Sequence, residues 1–284
     1  MADTAAQPFH IEPTPGGVGA FVHGIDLAND LNGNTVGVLR QALGDHCVLF
    51  FRDQKLTPDQ HIEAAEKFGE INVNRFFGRV PDYDKIAMVV KEPDQTTNIG
   101  GGWHTDHSYD QIPAMGSILL ARETPPRGGD TLFANMYAAY DSLSDGLKQT
   151  LLGLRAVHSS RHAFGAESQY ARGVKGRIGN PELATQDAVH PVVISHPISG
   201  RKALYVNSAF TLQFEGWTKE ESEPLLKMLY AHAARPEHTY RFQWAPGSIA
   251  FWDNRASWHY AVNDYHGDRR EMHRITLEGE ALGA

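Results

Sequence analysis

Short apolar runs bounded by turn-forming residues recur along this chain, and they constrain its fold more than any other feature. Val48-Leu49-Phe50-Phe51, Gly116-Ser117-Ile118-Leu119-Leu120-Ala121, Ser248 to Trp252 and Glu271 to Leu277 are too short for typical globular helices and suit a pleated sheet. Val192-Val193-Ile194-Ser195 and Ala203-Leu204-Tyr205-Val206 flank Pro197-Ile198-Ser199-Gly200, which predicts a hairpin. Gly19 to Leu27 reads as a strand and turn, Lys85 to Val90 as a strand, and Gly128-Gly129 as a turn entering a strand at Thr131-Leu132-Phe133. Cys47 joins the run that follows it as a buried strand residue.

Helical patterns are fewer. Thr35 to Leu43 and Ala138 to Leu154 show helical periodicity. Thr57-Pro58-Asp59-Gln60 is a capping box with proline in the first turn, and Gly69 is placed to end that helix. Thr218-Lys219-Glu220-Glu221 opens another, reaching roughly His232. Residues 166–187 lack periodicity and read as a long surface loop of the kind that often serves as a lid. Many short strands with helices in the connections predict one β-rich α+β domain over residues 1–284, a barrel or sandwich with helical decoration.

Charge narrows the function classes. With 26 basic against 34 acidic residues the formal charge is −8, which argues against nucleic-acid or anionic-membrane partners. No apolar stretch approaches the roughly 20 residues needed to cross a bilayer. The start, Met1-Ala2-Asp3-Thr4-Ala5-Ala6-Gln7-Pro8, has neither a basic nor an apolar region of a secretory leader. A lone cysteine, Cys47, permits no intrachain disulfide, so a reducing cytoplasm is the expected compartment.

The chemistry-bearing stretch is Gly102-Trp103-His104-Thr105-Asp106. On an extended strand His104 and Asp106 point to one side, because side chains alternate. His259, between Trp258 and Tyr260 on another strand pattern, completes two imidazoles and one carboxylate. That set holds Fe(II) on one face and leaves the other open. His266-Gly267-Asp268 repeats the triplet, but it sits among Asp264 and Arg269 in a solvated turn. His107 falls on the strand face opposite Asp106, and His273 alternates away from the arginines beside it; neither is expected to be a ligand.

The last strand adds an independent sign. In Arg270-Glu271-Met272-His273-Arg274 the two arginines share a face, about 13 Å apart at about 3.3 Å per residue. A buried guanidinium is costly unless an anion pairs with it, so the choice lies between two exposed arginines and two anion sites. A planar guanidinium orients a carboxylate through paired hydrogen bonds. Thr131 is placed to donate a hydroxyl to the same carboxylate.

With these residues in order, the chain resembles the taurine/2-oxoglutarate dioxygenase family over nearly its whole length. The resemblance runs from Gly19-Ala20-Phe21-Val22-His23-Gly24-Ile25-Asp26-Leu27 through Phe68-Gly69-Glu70 and Trp103-His104-Thr105-Asp106. It continues through Gly128-Gly129-Asp130-Thr131 and Trp252-Asp253-Asn254-Arg255 to His259, Arg270 and Arg274. It implies a double-stranded β-helix, a cupin-like jelly roll, using Fe(II) with 2-oxoglutarate and O2 as co-substrates. By match, His104, Asp106 and His259 fall on the iron ligands, Thr131 and Arg270 on the 2-oxoglutarate site, and Arg274 on the position that grips an anionic substrate.

The pocket departs from the taurine pattern. Asn72-Val73-Asn74 stands where taurine enzymes carry His-x-His, Phe77 where they carry tyrosine, and Gly100 where they carry asparagine. Phe164 and Phe210 keep apolar pocket positions. The implied substrate is a small anionic molecule held by Arg274, Asn74, Phe77, Phe164 and Phe210: a sulfonate, alkyl sulfate or aryloxyalkanoate. C–S or C–O cleavage follows where the hydroxylated carbon bears the heteroatom. The family also implies a homo-oligomer, dimer or tetramer. Taurine oxidation itself stays open, as do a zinc hydrolase and a silent cupin-like binding protein. The chain lacks His-Glu-x-x-His, and a hydrolase has no need of paired arginines.

Overall fold

The computed structural model describes residues 9–283 except residue 175; the N-terminal tail read above for a leader lies outside them. In chain order the strands are β1 (His10–Pro13), β2 (Ala20–His23), β3 (Val48–Phe51), β4 (Ile71–Asn72), β5 (Arg79–Val80), β6 (Tyr83–Lys91), β7 (Gly116–Glu123) and β8 (Thr131–Asn135). There follow β9 (Arg155–Ser159), β10 (Asp187–Pro191), β11 (Val193–Ser195), β12 (Lys202–Leu204), β13 (Thr211–Phe214), β14 (Thr239–Phe242), β15 (Ile249–Asp253), β16 (Ser257–Ala261) and β17 (Arg270–Leu277). The helices are α1 (Gly33–His46), α2 (Pro58–Glu66), α3 (Met136–Asp141), α4 (Asp145–Leu152), α5 (Arg161–Phe164), α6 (Gln169–Gly173) and α7 (Lys219–Ala233).

A nine-stranded sheet runs β1-β2-β3-β15-β7-β17-β6-β5, with β4 also on β17. It faces the three-stranded sheet β14-β8-β16, and smaller sheets β10-β9-β13 and β11-β12 extend the second layer. The two layers form the double-stranded β-helix expected from the resemblance.

Strands β3, β7 and β15 at the centre of the large sheet are buried on both faces, which is why they are apolar runs rather than alternating ones. Val48, Phe50, Leu119, Ala121, Ala250 and Trp252 pack toward β8, β14 and β16. Leu49, Phe51, Ile118, Leu120, Ile249 and Phe251 pack outward with Leu39 and Leu43 of α1 and Ala65 of α2. Phe50 stacks on Phe242 across the layers at 4.3 Å, so the two sheets are locked ring to ring.

Both capping boxes form as the sequence predicts. Thr57 accepts from Gln60 N and Thr218 from Glu221 N, each with the reciprocal side-chain bond. Other elements differ. The helix expected over 138–154 is two helices, because the Ser142 hydroxyl bonds the Ala138 carbonyl and Ser144 caps α4 instead of continuing the turn. Helix α2 stops at Glu66 with Lys67 as its cap, short of Gly69. Cys47 is not in a strand; it ends α1 with a φ of 69° and donates to the Leu43 carbonyl. Residues 166–187 contain α6 and a short 3-10 turn at Pro181–Leu183. Strands β9 and β10 escaped the periodicity reading because polar His158 and His190 occupy buried positions on them.

Candidate active site

Strand β16 positions the first functional side chain. His104 and His259 form an isolated antiparallel bridge, His259 N donating to the His104 carbonyl at 2.8 Å and His104 N returning the bond at 3.2 Å. Their rings therefore sit side by side, 4.1 Å between centroids. The extended strand expected around His104 is only this one bridge, and residues 106–109 turn. Thr105 pins the turn by donating to the Asn254 carbonyl at 2.6 Å. Asp106 still reaches the same side, by the turn rather than by strand alternation.

His104 Nε2 lies 3.7 Å from Asp106 Oδ1, and His259 Nε2 lies 3.8 Å from Asp106 Oδ2. These separations are too long for hydrogen bonds. All three residues offer ligand atoms within 4.8 Å of one another. His104 Nδ1 sits 2.8 Å from the Gly102 carbonyl, which only an N–H can satisfy, so Nε2 carries the lone pair. Two imidazole nitrogens and a carboxylate, aimed together and not bonded to each other, suit a divalent first-row metal. Burial works to raise the Asp106 carboxyl, but Arg274, His259 and His104 together hold it well below the usual carboxylate range. Burial, then the neighbouring His104, push His259 well below the ordinary imidazole range. His259 is thus poised as a neutral imidazole and Asp106 as a carboxylate, the forms that bind metal.

Both arginines of β17 are buried, Arg270 at 5% and Arg274 at 6% exposure, which removes the exposed-rim alternative. Arg274 Nη1 donates to Asp106 Oδ2 at 3.3 Å, and its guanidinium lies 4.5 Å from the Phe77 ring centroid. Arg270 has no carboxylate within 4 Å among the described residues, and its Nε is buried without a partner. It lies over Trp244, whose Nε1 donates to Thr131 Oγ1 at 3.0 Å. Thr131 is the first residue of β8. Gly129, at a φ of 69°, lets Arg270 pack here: a Cβ would stand 3.2 Å from Arg270 Cδ.

These groups line one cavity of about 310 Å³ between the large sheet and β8–β16. Val89, Leu119, Phe77, Phe164, Phe210 and Ile99 give it apolar walls. Asn74 lines it too, but its Oδ1 accepts from Phe76 N and Phe77 N, so the oxygen holds the turn. Phe76 does not reach the cavity; it stacks behind Phe164 at 4.4 Å.

Two lining residues, and one outside the lining, were missed in sequence or misplaced. His107 was expected to face away, yet its φ of 59° turns it onto the cavity wall, with Nδ1 2.9 Å from Asp110, which Arg75 holds by two bonds. Tyr170, in the presumed lid segment, lines the cavity and accepts from Gly100 N at 2.9 Å. Trp244, linking Thr131 to Arg270, left no local signal. His266 and Asp268 stand in an exposed turn outside the cluster. His273 points away as expected and pairs with Glu271 at 2.9 Å. No helix among the described residues is long and apolar enough to cross a membrane.

Residues 10–276 match a family model described as taurine catabolism dioxygenase TauD, TfdA family. The chain is 36% identical over 283 residues to an alkylsulfatase of Acinetobacter baylyi, covering 96% of this chain and 86% of that protein. It is 34% identical over 285 residues to an alpha-ketoglutarate-dependent sulfate ester dioxygenase of Pseudomonas putida, covering 97% and 91%. Its structure superposes on that of a taurine dioxygenase from Burkholderia xenovorans with a TM-score of 0.81 at 35% identity, covering 97% and 93%.

Proposed function

Because the chain belongs to the taurine catabolism dioxygenase TauD, TfdA family, we propose that it uses Fe(II), 2-oxoglutarate and O2 to hydroxylate small anionic substrates in the cavity between its sheets. It is a 2-oxoglutarate-dependent dioxygenase. Iron is assigned to His104, Asp106 and His259. When bound, iron with 2-oxoglutarate supplies O2 activation, releasing succinate and CO2 as a substrate C–H is hydroxylated.

The chain's own residues bind, orient and exclude water. Arg270, buried and without a carboxylate partner, takes the distal carboxylate of 2-oxoglutarate in paired hydrogen bonds. Thr131 accepts from Trp244, which leaves its own proton to donate to that carboxylate. Arg274, stacked on Phe77, presents a second cationic site to the anionic head of the primary substrate. The Gly102 carbonyl keeps His104 in the tautomer that binds metal. Phe164, Phe210 and Leu119 exclude water and hold an apolar body near the metal site.

The observation that carries this reading is the convergence of three donor atoms within 4.8 Å in a cavity that also holds two buried arginines. The apolar walls, and relatives named alkylsulfatase and sulfate ester dioxygenase, support an alkyl sulfate, a sulfonate or an aryloxyalkanoate. The whole chain acts as one catalytic unit, cytoplasmic and assembled as a dimer or tetramer. The test is a panel of sulfonates, alkyl sulfates and aryloxyalkanoates assayed for substrate-dependent succinate. Absence of succinate with all of them, in enzyme that binds 2-oxoglutarate, would overturn the substrate class.

A further inference from the structure

Arg270 borders a second cavity, far smaller than the first. It measures about 10 Å³ and is lined by Lys91, Arg177, Arg270, Tyr265, Asn98 and apolar neighbours. Among the described residues three cations share this wall and no carboxylate does. In a chain with a net charge of −8, general charge does not explain the cluster.

The three are poorly compensated. Lys91 is 3% exposed; its Nζ donates to the Tyr265 carbonyl at 2.9 Å and lies 4.0 Å from the Tyr265 ring centroid. Arg177 Nη2 donates to Thr97, while its Nη1 is buried without a partner. Arg270 Nε is likewise buried and unpartnered. Nearby acids are engaged elsewhere: Asp130 and Asp264 pair with Arg241, and Glu92, Glu123 and Glu271 pair with Arg269. Asp268 acts on Lys91 through charge without an ion-pair contact. The neutral groups are satisfied as well, since Tyr265 Oη donates to Asn98 Oδ1 and Asn98 Nδ2 donates to the Ala261 and Val262 carbonyls.

We propose that this cavity, walled by Lys91, Arg177 and Arg270, is a binding site for one small inorganic anion of the halide class. Water would fill the volume but add no charge, leaving buried Lys91 and Arg270 and half-buried Arg177 to repel one another. The volume admits a single particle near water size, so sulfate and phosphate do not fit, nor does a whole carboxylate group. The inference goes beyond the assignment of 2-oxoglutarate to Arg270 from the larger cavity, and its tests need neither iron nor turnover.

The experiment uses the full-length protein, with bromide as the crystallographic probe and chloride in solution. Crystals grown without halide and soaked in bromide should show one anomalous peak touching Lys91 and Arg177. In solution, millimolar chloride should raise the melting temperature above that in gluconate at equal ionic strength, because a ligand that binds only the folded state stabilises it. Lys91→Met and Arg177→Gln should each lose this chloride-dependent shift, whatever their own melting temperatures; either variant suffices if the other does not fold. A water at the site after the soak, with chloride-independent melting of the unaltered protein, overturns the proposal. So does anomalous density seen only at molar bromide, which marks an adventitious ion only.

Discussion

Arg274 donates to Asp106 Oδ2 over 3.3 Å, so the carboxylate oxygen that faces His259 also faces a guanidinium. The last strand and the turn after His104 are thereby coupled through one oxygen. That contact helps keep Asp106 ionised against its burial. Under the proposed assignment Arg274 then serves both the metal cluster and the substrate's anionic head, which separates its expected behaviour from that of Arg270.

Adding Fe(II) and 2-oxoglutarate anaerobically should produce a weak visible absorption band. His104→Ala, Asp106→Ala and His259→Ala should each abolish it, while His266→Ala should leave it intact. A band that survives in the first three variants refutes the metal assignment.

Arg270→Ala should raise the KM for 2-oxoglutarate by about tenfold or more, as expected for a lost charge-assisted bond of about 1.5–3 kcal/mol. Arg274→Ala should act mainly on the KM of the primary substrate, with a smaller loss of metal affinity through Asp106. Steady-state kinetics in both substrates reads the difference. Interchanged phenotypes would reverse the order of the two anion sites along β17.

A substrate with an apolar body and one anionic head should outperform taurine by about tenfold or more in kcat/KM. Taurine's ammonium would meet apolar Phe77, Phe164 and Phe210, whereas an alkyl chain burying about 60 Å² more there would gain about 1.5 kcal/mol. If taurine proves best in a broad panel, the pocket substitutions do not set specificity as argued.

Phe50→Ala should cost about 3–5 kcal/mol in urea unfolding, because it empties the stack on Phe242 between the sheets. A loss below about 1 kcal/mol would mean the layers close without that ring pair.

Asp253 is fully buried, bonded to His196 and held by three bonds from Arg255, two of them from its guanidinium. Burial works to raise its carboxyl, but Arg255 and His196 hold it well below the usual range. A depressed folded value stabilises the protein above the unfolded carboxyl pKa of about 3.9, and that stability is lost as pH falls below it. Asp253→Asn should therefore be destabilising at neutral pH, with the gap to the unaltered protein narrowing as pH drops through about 5 toward 3. A pH-independent gap in denaturant titrations would rule out the ionic origin.

What the sequence alone determined is what short-range physics controls. Capping boxes at Thr57 and Thr218 form from residues three apart, and the β17 arginines share a face because strand side chains alternate. The apolar runs Val48–Phe51 and Ile249–Trp252 read as strands, and the structure forms both. The donor set itself was legible too, since His104, Asp106 and His259 carry their chemistry in their residue types.

Tertiary structure decided the rest. Asp106 reaches the histidines through a turn, and a left-handed φ at His107 moves that residue onto the cavity wall, which no periodicity could register. Whether the arginines were exposed or buried depended on what covers β17, and Trp244 stands over Arg270 from far along the chain. Phe76 and Phe77 are neighbours in sequence, yet one backs Phe164 and the other underlies Arg274. Clustering Lys91, Arg177 and Arg270 around one small cavity likewise needs three distant segments to close. Such features arise from long-range packing, where burial and the partners left over after folding set each group's role, and neither quantity is encoded in a local window.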